Sequence, residues 1–130
     1  MDYKILLLIA MIFFHIIDDY YLQGFLARAK QKSWWEQNYP DKLYKYDYIM
    51  ALVEHAFSWA VMINIPAIIY VLICGITFPT LLFIDLFIAN IIAHAYVDNM
   101  KANLLKINLI EDQLIHIFQI TLTWFVYIFF

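Results

Sequence analysis

Four stretches of about 20 mostly apolar residues, each long enough to cross a lipid bilayer, fill most of this 130-residue chain. They run from about Ile5 to Ala27, Asp47 to Cys74, Pro79 to Met100 and Asn108 to Phe130. No alternating strand pattern persists in any of them, and open sheets have no place in lipid, so each reads as a helix. Composition agrees. The chain is 65% apolar and only 15% charged, and a chain this small cannot hide so much apolar surface in a water-soluble core. The same numbers exclude disorder. A net charge of -3 offers no basic field for nucleic acid. The single cysteine, Cys74, rules out an internal disulfide or a CxxC motif. The expected fold is all-α: one domain over residues 1–130, a polytopic membrane four-helix bundle.

The one polar linker of any length, about residues 29–46, mixes Trp34, Trp35, Tyr39, Pro40, Tyr44 and Tyr46 with lysines. Amphipathic aromatics beside basic residues belong at a membrane–water interface, so this is expected to be an interfacial segment with a short helix. Pro66 predicts a kink near Asn64 in the second span. The first span lacks a small-residue cleavage site and leads straight into Asp18 and Asp19, so it reads as a permanent helix rather than a signal peptide. Arg28, Lys30, Lys32, Lys42 and Lys45 follow span one, and Lys101 and Lys106 follow span three. The positive-inside rule then puts both loops in the cytoplasm and both termini outside, in a bacterial cytoplasmic membrane.

The spans carry groups that lipid disfavours. His15, His55, His94 and His116 all lie within them, with Asp18, Asp19, Glu54, Asp85, Asp98, Glu111 and Asp112. Each buried Asp costs about 2.5–3.5 kcal/mol on insertion scales, so such groups usually face the bundle interior and serve function. His15 and Asp19 are four residues apart, as are His94 and Asp98, and Asp112 and His116. That spacing puts an imidazole and a carboxylate on one helix face. Gln23 extends the first face, Asn90 and Lys101 the third, Gln119 and Thr123 the fourth. At 1.5 Å rise per residue, the polar turn of every span lies roughly 10–13 Å from its cytoplasmic end.

A lone buried histidine is more often a hydrogen-bonded packing residue than a ligand. Three His/Asp pairs and a fourth histidine at one depth reverse that balance. Interhelical polar contacts in membranes, worth only about 0.6–2 kcal/mol each, would not need so many ionisable groups. Imidazole and carboxylate are the ligand set of zinc, manganese or iron. The expected metal ligands are therefore His15, Asp19, His55, His94, Asp98, Asp112 and His116. Asp18, Asp19 or Glu54 would act as base, and Gln23, Lys101 and Gln113 would hold substrate. Asp85 falls on the opposite face. Ser58 near His55 is a weak nucleophile candidate, and no phosphate loop, Gly-x-Ser-x-Gly elbow or His-Glu-x-x-His motif occurs.

These motifs follow one another in a specific order. His15-Ile-Ile-Asp-Asp19-Tyr-Tyr-Leu-Gln23 comes first, then His55, then His94-x3-Asp98-x2-Lys101, then Asp112-Gln113-x2-His116. Together they resemble a family of small bacterial and phage integral membrane proteins known only as a domain of unknown function. The likeness covers nearly the whole chain, which departs from the pattern by the extra acid Asp18 and the long aromatic linker. The resemblance implies a four-helix membrane protein with those residues as its site, and no activity.

Three functions then compete. One is a metal-dependent membrane hydrolase acting on a lipid-linked or phosphoester substrate. Another is an oligomeric proton or divalent-cation transporter or pore. The last is a non-catalytic membrane module or phage or bacterial effector with a polar core. The expected partners are the lipid bilayer and further copies of the chain, not nucleic acid.

Overall fold

Asp2 starts the first helix by accepting a hydrogen bond from the Lys4 amide at 3.0 Å. In the computed structural model, which describes residues 2–130, all regular structure is helical. Helix α1 (Tyr3–Ile17) runs into a π-helical turn (Asp18–Leu22), and Gly24, at φ +50°, then turns the chain into short α2 (Leu26–Ala29). Next come α3 (Lys32–Asn38), a 3-10 turn (Lys42–Tyr44), α4 (Asp47–Cys74), α5 (Thr80–Ala102) and α6 (Leu109–Phe129).

The first apolar stretch is thus not one helix to Ala27. Adjacent acids and a left-handed glycine break it in two. α4 continues as one helix through Pro66. It ends at Gly75, whose φ of +64° lets Ile76 N–H reach back to the Val71 carbonyl at 3.0 Å. α6 begins with a capping box. Asn108 Oδ1 accepts from the amides of Ile110 and Glu111, and the Glu111 carboxylate accepts from the Asn108 amide.

α4 packs along α1 on one side and α5 on the other, and α6 closes the ring between α5 and α1. Ala56, Ala60 and Ala67 have no exposed surface, and their small size lets the neighbouring helices approach α4 closely. The bundle is apolar outside and polar within. Ile9, Phe13, Ile16, Ile92, Leu114 and Phe118 face outward, whereas His94, His116 and Asp112 are wholly buried. A water-soluble bundle sorts these the other way. Three segments are long and apolar enough to cross a membrane: Tyr3–Leu22, Lys42–Cys74 and Thr80–Ala102. α6 has the length, 21 residues, but Asp112, Gln113, His116 and Gln119 dilute it.

The interior divides into two zones. Leu7, Met11, Trp59, Ala60, Ile63, Ala67, Ile120 and Tyr127 form an apolar core, and beyond Trp59 the core is ionisable. The aromatic linker folds over that ionisable end. Its rings pack on one another, Trp34 on Trp35 at 5.0 Å and Tyr39 on Tyr44 at 5.4 Å between centroids. Asn103, just after α5, fastens it by accepting from the Lys32 amide at 2.7 Å and donating to the Lys30 carbonyl at 3.0 Å.

Candidate metal centre

Asp18 and Asp19 open the π turn, where each residue advances less around the axis than in an α-helix. Both carboxylates therefore face the bundle. Asp18 is 1% exposed, and one of its oxygens accepts from Ser58 Oγ at 2.7 Å. Its other oxygen lies 3.6 Å from His55 Nδ1. A carboxylate behind one ring nitrogen orients the histidine and favours a lone pair on the other. That other nitrogen, His55 Nε2, lies 3.1 Å from His94 Nε2, 3.3 Å from Asp19 Oδ1 and 3.4 Å from Asp98 Oδ2. His94 Nε2 is 3.9 Å from each of those two carboxylate oxygens.

A tetrahedral site with bonds of about 2.0–2.1 Å has ligand–ligand edges of roughly 3.3–3.4 Å. The His55–His94 and His55–Asp19 edges, 3.1 and 3.3 Å, are close to that size, and the His94–Asp19 edge, 3.9 Å, is wider. Asp19 Oδ1 is buried with no hydrogen-bond partner, a vacancy in its bonding that a cation would fill. His94, Asp98 and His116 form a second buried group on the same scale, sharing His94 with the first. Buried His/Asp groups in this fold could therefore hold a metal ion.

His94 is fixed by stacking. Trp59 packs against it at 4.2 Å between centroids and 19° between planes, His116 does so at 4.2 Å and 30°, and those two rings are 5.8 Å from each other. His15 does a different job. Trp59 Nε1 donates to His15 Nδ1 at 2.7 Å, and indole can only donate, so the His15 proton sits on Nε2 and points to Gln113 Oε1 at 3.1 Å. Neither nitrogen has a free lone pair. Gln113 passes the chain on, donating to Asp112 at 3.0 Å and Asp19 at 3.3 Å.

The structure therefore brings Asp19, His55, His94, Asp98 and His116 together as ligand candidates. It sets His15 and Asp112, both also expected as ligands, behind them. Asp112 Oδ2 binds Lys101 Nζ at 2.6 Å, and its other oxygen lies 3.5 Å from His116 Nε2. Lys101, expected to hold substrate, is engaged in that pair. Gln23 donates to the backbone carbonyl of Asp19, on its own turn, and stays out of the centre. Glu54, expected as a base, is exposed on α4 beside Val53, because 100° of helix rotation from His55 carries it to the outer face. Asp85 is exposed too.

Sequence reasoning missed Lys30. It counted as a surface cation, yet it is 8% exposed and its Nζ lies 2.5 Å from Asp98 Oδ2. Nothing in the local pattern announces this, because the partner is 68 residues away. Trp59, four residues after His55, is the ring that contacts both His15 and His94.

A cavity of about 470 Å³ opens between α1 and α6, lined by Ile12, Ile16, Tyr20, Tyr21 and Ile117, with His15 and Gln113 at its polar end. No family model, curated protein or solved structure matches the chain.

Proposed function

We propose that the chain is a four-helix membrane protein that holds one divalent metal ion on Asp19, His55 and His94 and hydrolyses a phosphoester of a lipid-linked substrate. The observation that carries this reading is the convergence of Asp19 Oδ1, His55 Nε2 and His94 Nε2 within 3.1–3.9 Å, in a buried site. Charge supports a single ion. With the imidazoles neutral, as ligands must be, four buried carboxylates, Asp18, Asp19, Asp98 and Asp112, face two ammonium groups, Lys30 and Lys101, which leaves two negative charges. Two imidazoles and a carboxylate suit zinc, or manganese or iron. Three protein ligands leave a coordination position open, the pattern of a catalytic rather than a structural site.

A divalent ion there supplies Lewis acidity and a nucleophile from water. Asp98, held by Lys30 beside His55, is placed to take a proton. Asp18 aligns His55, and Gln113 steadies Asp19. The α1–α6 cavity is lined mostly by apolar side chains, with His15 and Gln113 among them, which suits a lipid chain that carries a polar head. The resemblance of the motifs of all four helices to the small bacterial and phage membrane family supports this reading. Arg28, Lys32, Lys42, Lys45 and Lys106 set the loops bearing them in the cytoplasm.

The test is turnover in detergent or nanodiscs. Phosphate or headgroup release from phospholipid should stop on chelation, return with added metal, and fall by at least about 100-fold in His55→Ala. Metal-loaded protein that leaves every phosphoester intact would sink the hydrolase. A second reading, passage of protons or cations, draws on one observation. Asn90, Gln119 and Thr123 bond to one another, and Tyr127 to Asn64, along the bundle beyond the centre. Liposome flux that collapses in Asp98→Asn would favour it, and absent flux counts against it.

A further inference from the structure

Two ammonium groups reach the ionisable layer, and they face different neighbours. Lys101 Nζ bonds Asp112 Oδ2 at 2.6 Å, and Asp112 sits behind His116. Lys30 Nζ bonds Asp98 Oδ2 at 2.5 Å, and that oxygen lies 3.4 Å from His55 Nε2 and 3.9 Å from His94 Nε2. The Lys30 ammonium is thus one hydrogen bond removed from an atom that faces two of the three proposed ligands. An ammonium has three N–H donors and no acceptor. Among the described residues, Asp98 is the one hydrogen-bond partner of Lys30 Nζ, although the side chain is nine-tenths buried. Two donors are left over next to the ligand set.

The stretch that delivers this ammonium is held in place. The Lys30 backbone carbonyl accepts from Asn103 Nδ2 at 3.0 Å, the amide of Lys32 donates to Asn103 Oδ1 at 2.7 Å, and Asn103 also donates to Asn99 at 2.9 Å. A compact positive charge with spare donors, fixed from behind and set beside a metal ion, is the arrangement that holds phosphoryl oxygens. We propose that Lys30 is a catalytic residue that donates to a phosphoryl oxygen of the substrate at the metal centre. The inference rests on the one-ion reading above and adds the group that recognises the anion. One divalent ion and the two ammonium groups balance the four buried carboxylates. An arriving phosphoryl group therefore depends on donors not already used, and Lys30 has two. A merely structural lysine would do no more than neutralise Asp98, so the two roles part where Asp98 carries no charge.

The full chain, purified in detergent and loaded with manganese(II), tests this by the paramagnetic broadening of the phosphorus NMR signal of added inorganic phosphate. Wild type should bind phosphate beside the ion. Lys30→Gln should keep its manganese and bind phosphate about 10–100-fold more weakly, and Lys30→Arg should keep most of the affinity. The same comparison is made in an Asp98→Asn background, where Lys30→Gln leaves no unpaired carboxylate to disturb folding. There, too, losing the lysine should cost about the same factor. A second arm uses dioctanoyl phosphatidic acid. Tighter binding than inorganic phosphate, with the same dependence on Lys30, assigns the phosphoryl group to a lipid headgroup, and equal or weaker binding assigns it to a free phosphate. Undiminished phosphate affinity on loss of the lysine in either background overturns the inference and leaves the metal centre standing, as does a manganese-loaded wild type that binds no phosphate. A wild type that takes up no manganese overturns the one-ion centre itself and this inference with it.

Discussion

His94 packs against two rings, Trp59 and His116, and those contacts explain why a histidine with no hydrogen-bond partner on its Nδ1 keeps one orientation. His55 is held differently, by Asp18 at 3.6 Å. Asp18→Asn should therefore lower metal affinity by about 10–100-fold with the helices intact, read by equilibrium dialysis against a metal chelator. An unchanged affinity would free His55 from that carboxylate. Trp59→Phe keeps most of the ring packing but strips His15 Nδ1 of its donor. It should cost about 1–3 kcal/mol in detergent unfolding, and a neutral result would mean that the His15 chain carries no stability. The His/Asp spacing made His15, Asp19, His55, His94, Asp98, Asp112 and His116 legible as one polar layer. It left their division of labour hidden, because Trp59 and Gln113 occupy both nitrogens of His15, and those contacts join residues 44 and 98 positions apart.

Helix boundaries set which of these side chains can meet. An α-helix through residues 18 and 19 would separate the two carboxylates by 100°, and the π turn narrows that angle so both face the bundle. Deleting Ile17, the residue that leads into that turn, rotates the aspartates relative to α1. Circular dichroism should then show near-normal helicity while bound metal is lost, and retained metal would mean that the π turn is incidental. At α6, Asn108→Ala removes the cap and should cost about 1 kcal/mol of stability, because two amides lose their acceptor. The long apolar runs made α4, α5 and α6 readable to within a few residues. The end of α1 was not readable, since it depends on a π turn and on Gly24, and the burial of Lys30 follows from that break.

At the scale of the whole molecule, apolar side chains face out and ionisable ones face in. That inversion was foreseeable from 65% apolar residues beside four histidines in the spans. The topology proposed above has its own reporter, because Cys74 is the single cysteine and is exposed at the end of α4. A membrane-impermeant maleimide should label it from outside intact cells, and labelling only after permeabilisation would reverse the orientation. The ligands proposed for the ion come from the π turn, α4 and α5, so an ion bound there also ties those elements together, and chelation should lower the melting temperature. The most direct measurement is elemental analysis of the purified chain beside His94→Ala. The account predicts one divalent ion per wild-type chain, and none in a variant that remains helical and monodisperse. A wild type without metal after loading, or a His94→Ala protein that keeps its ion, would contradict it.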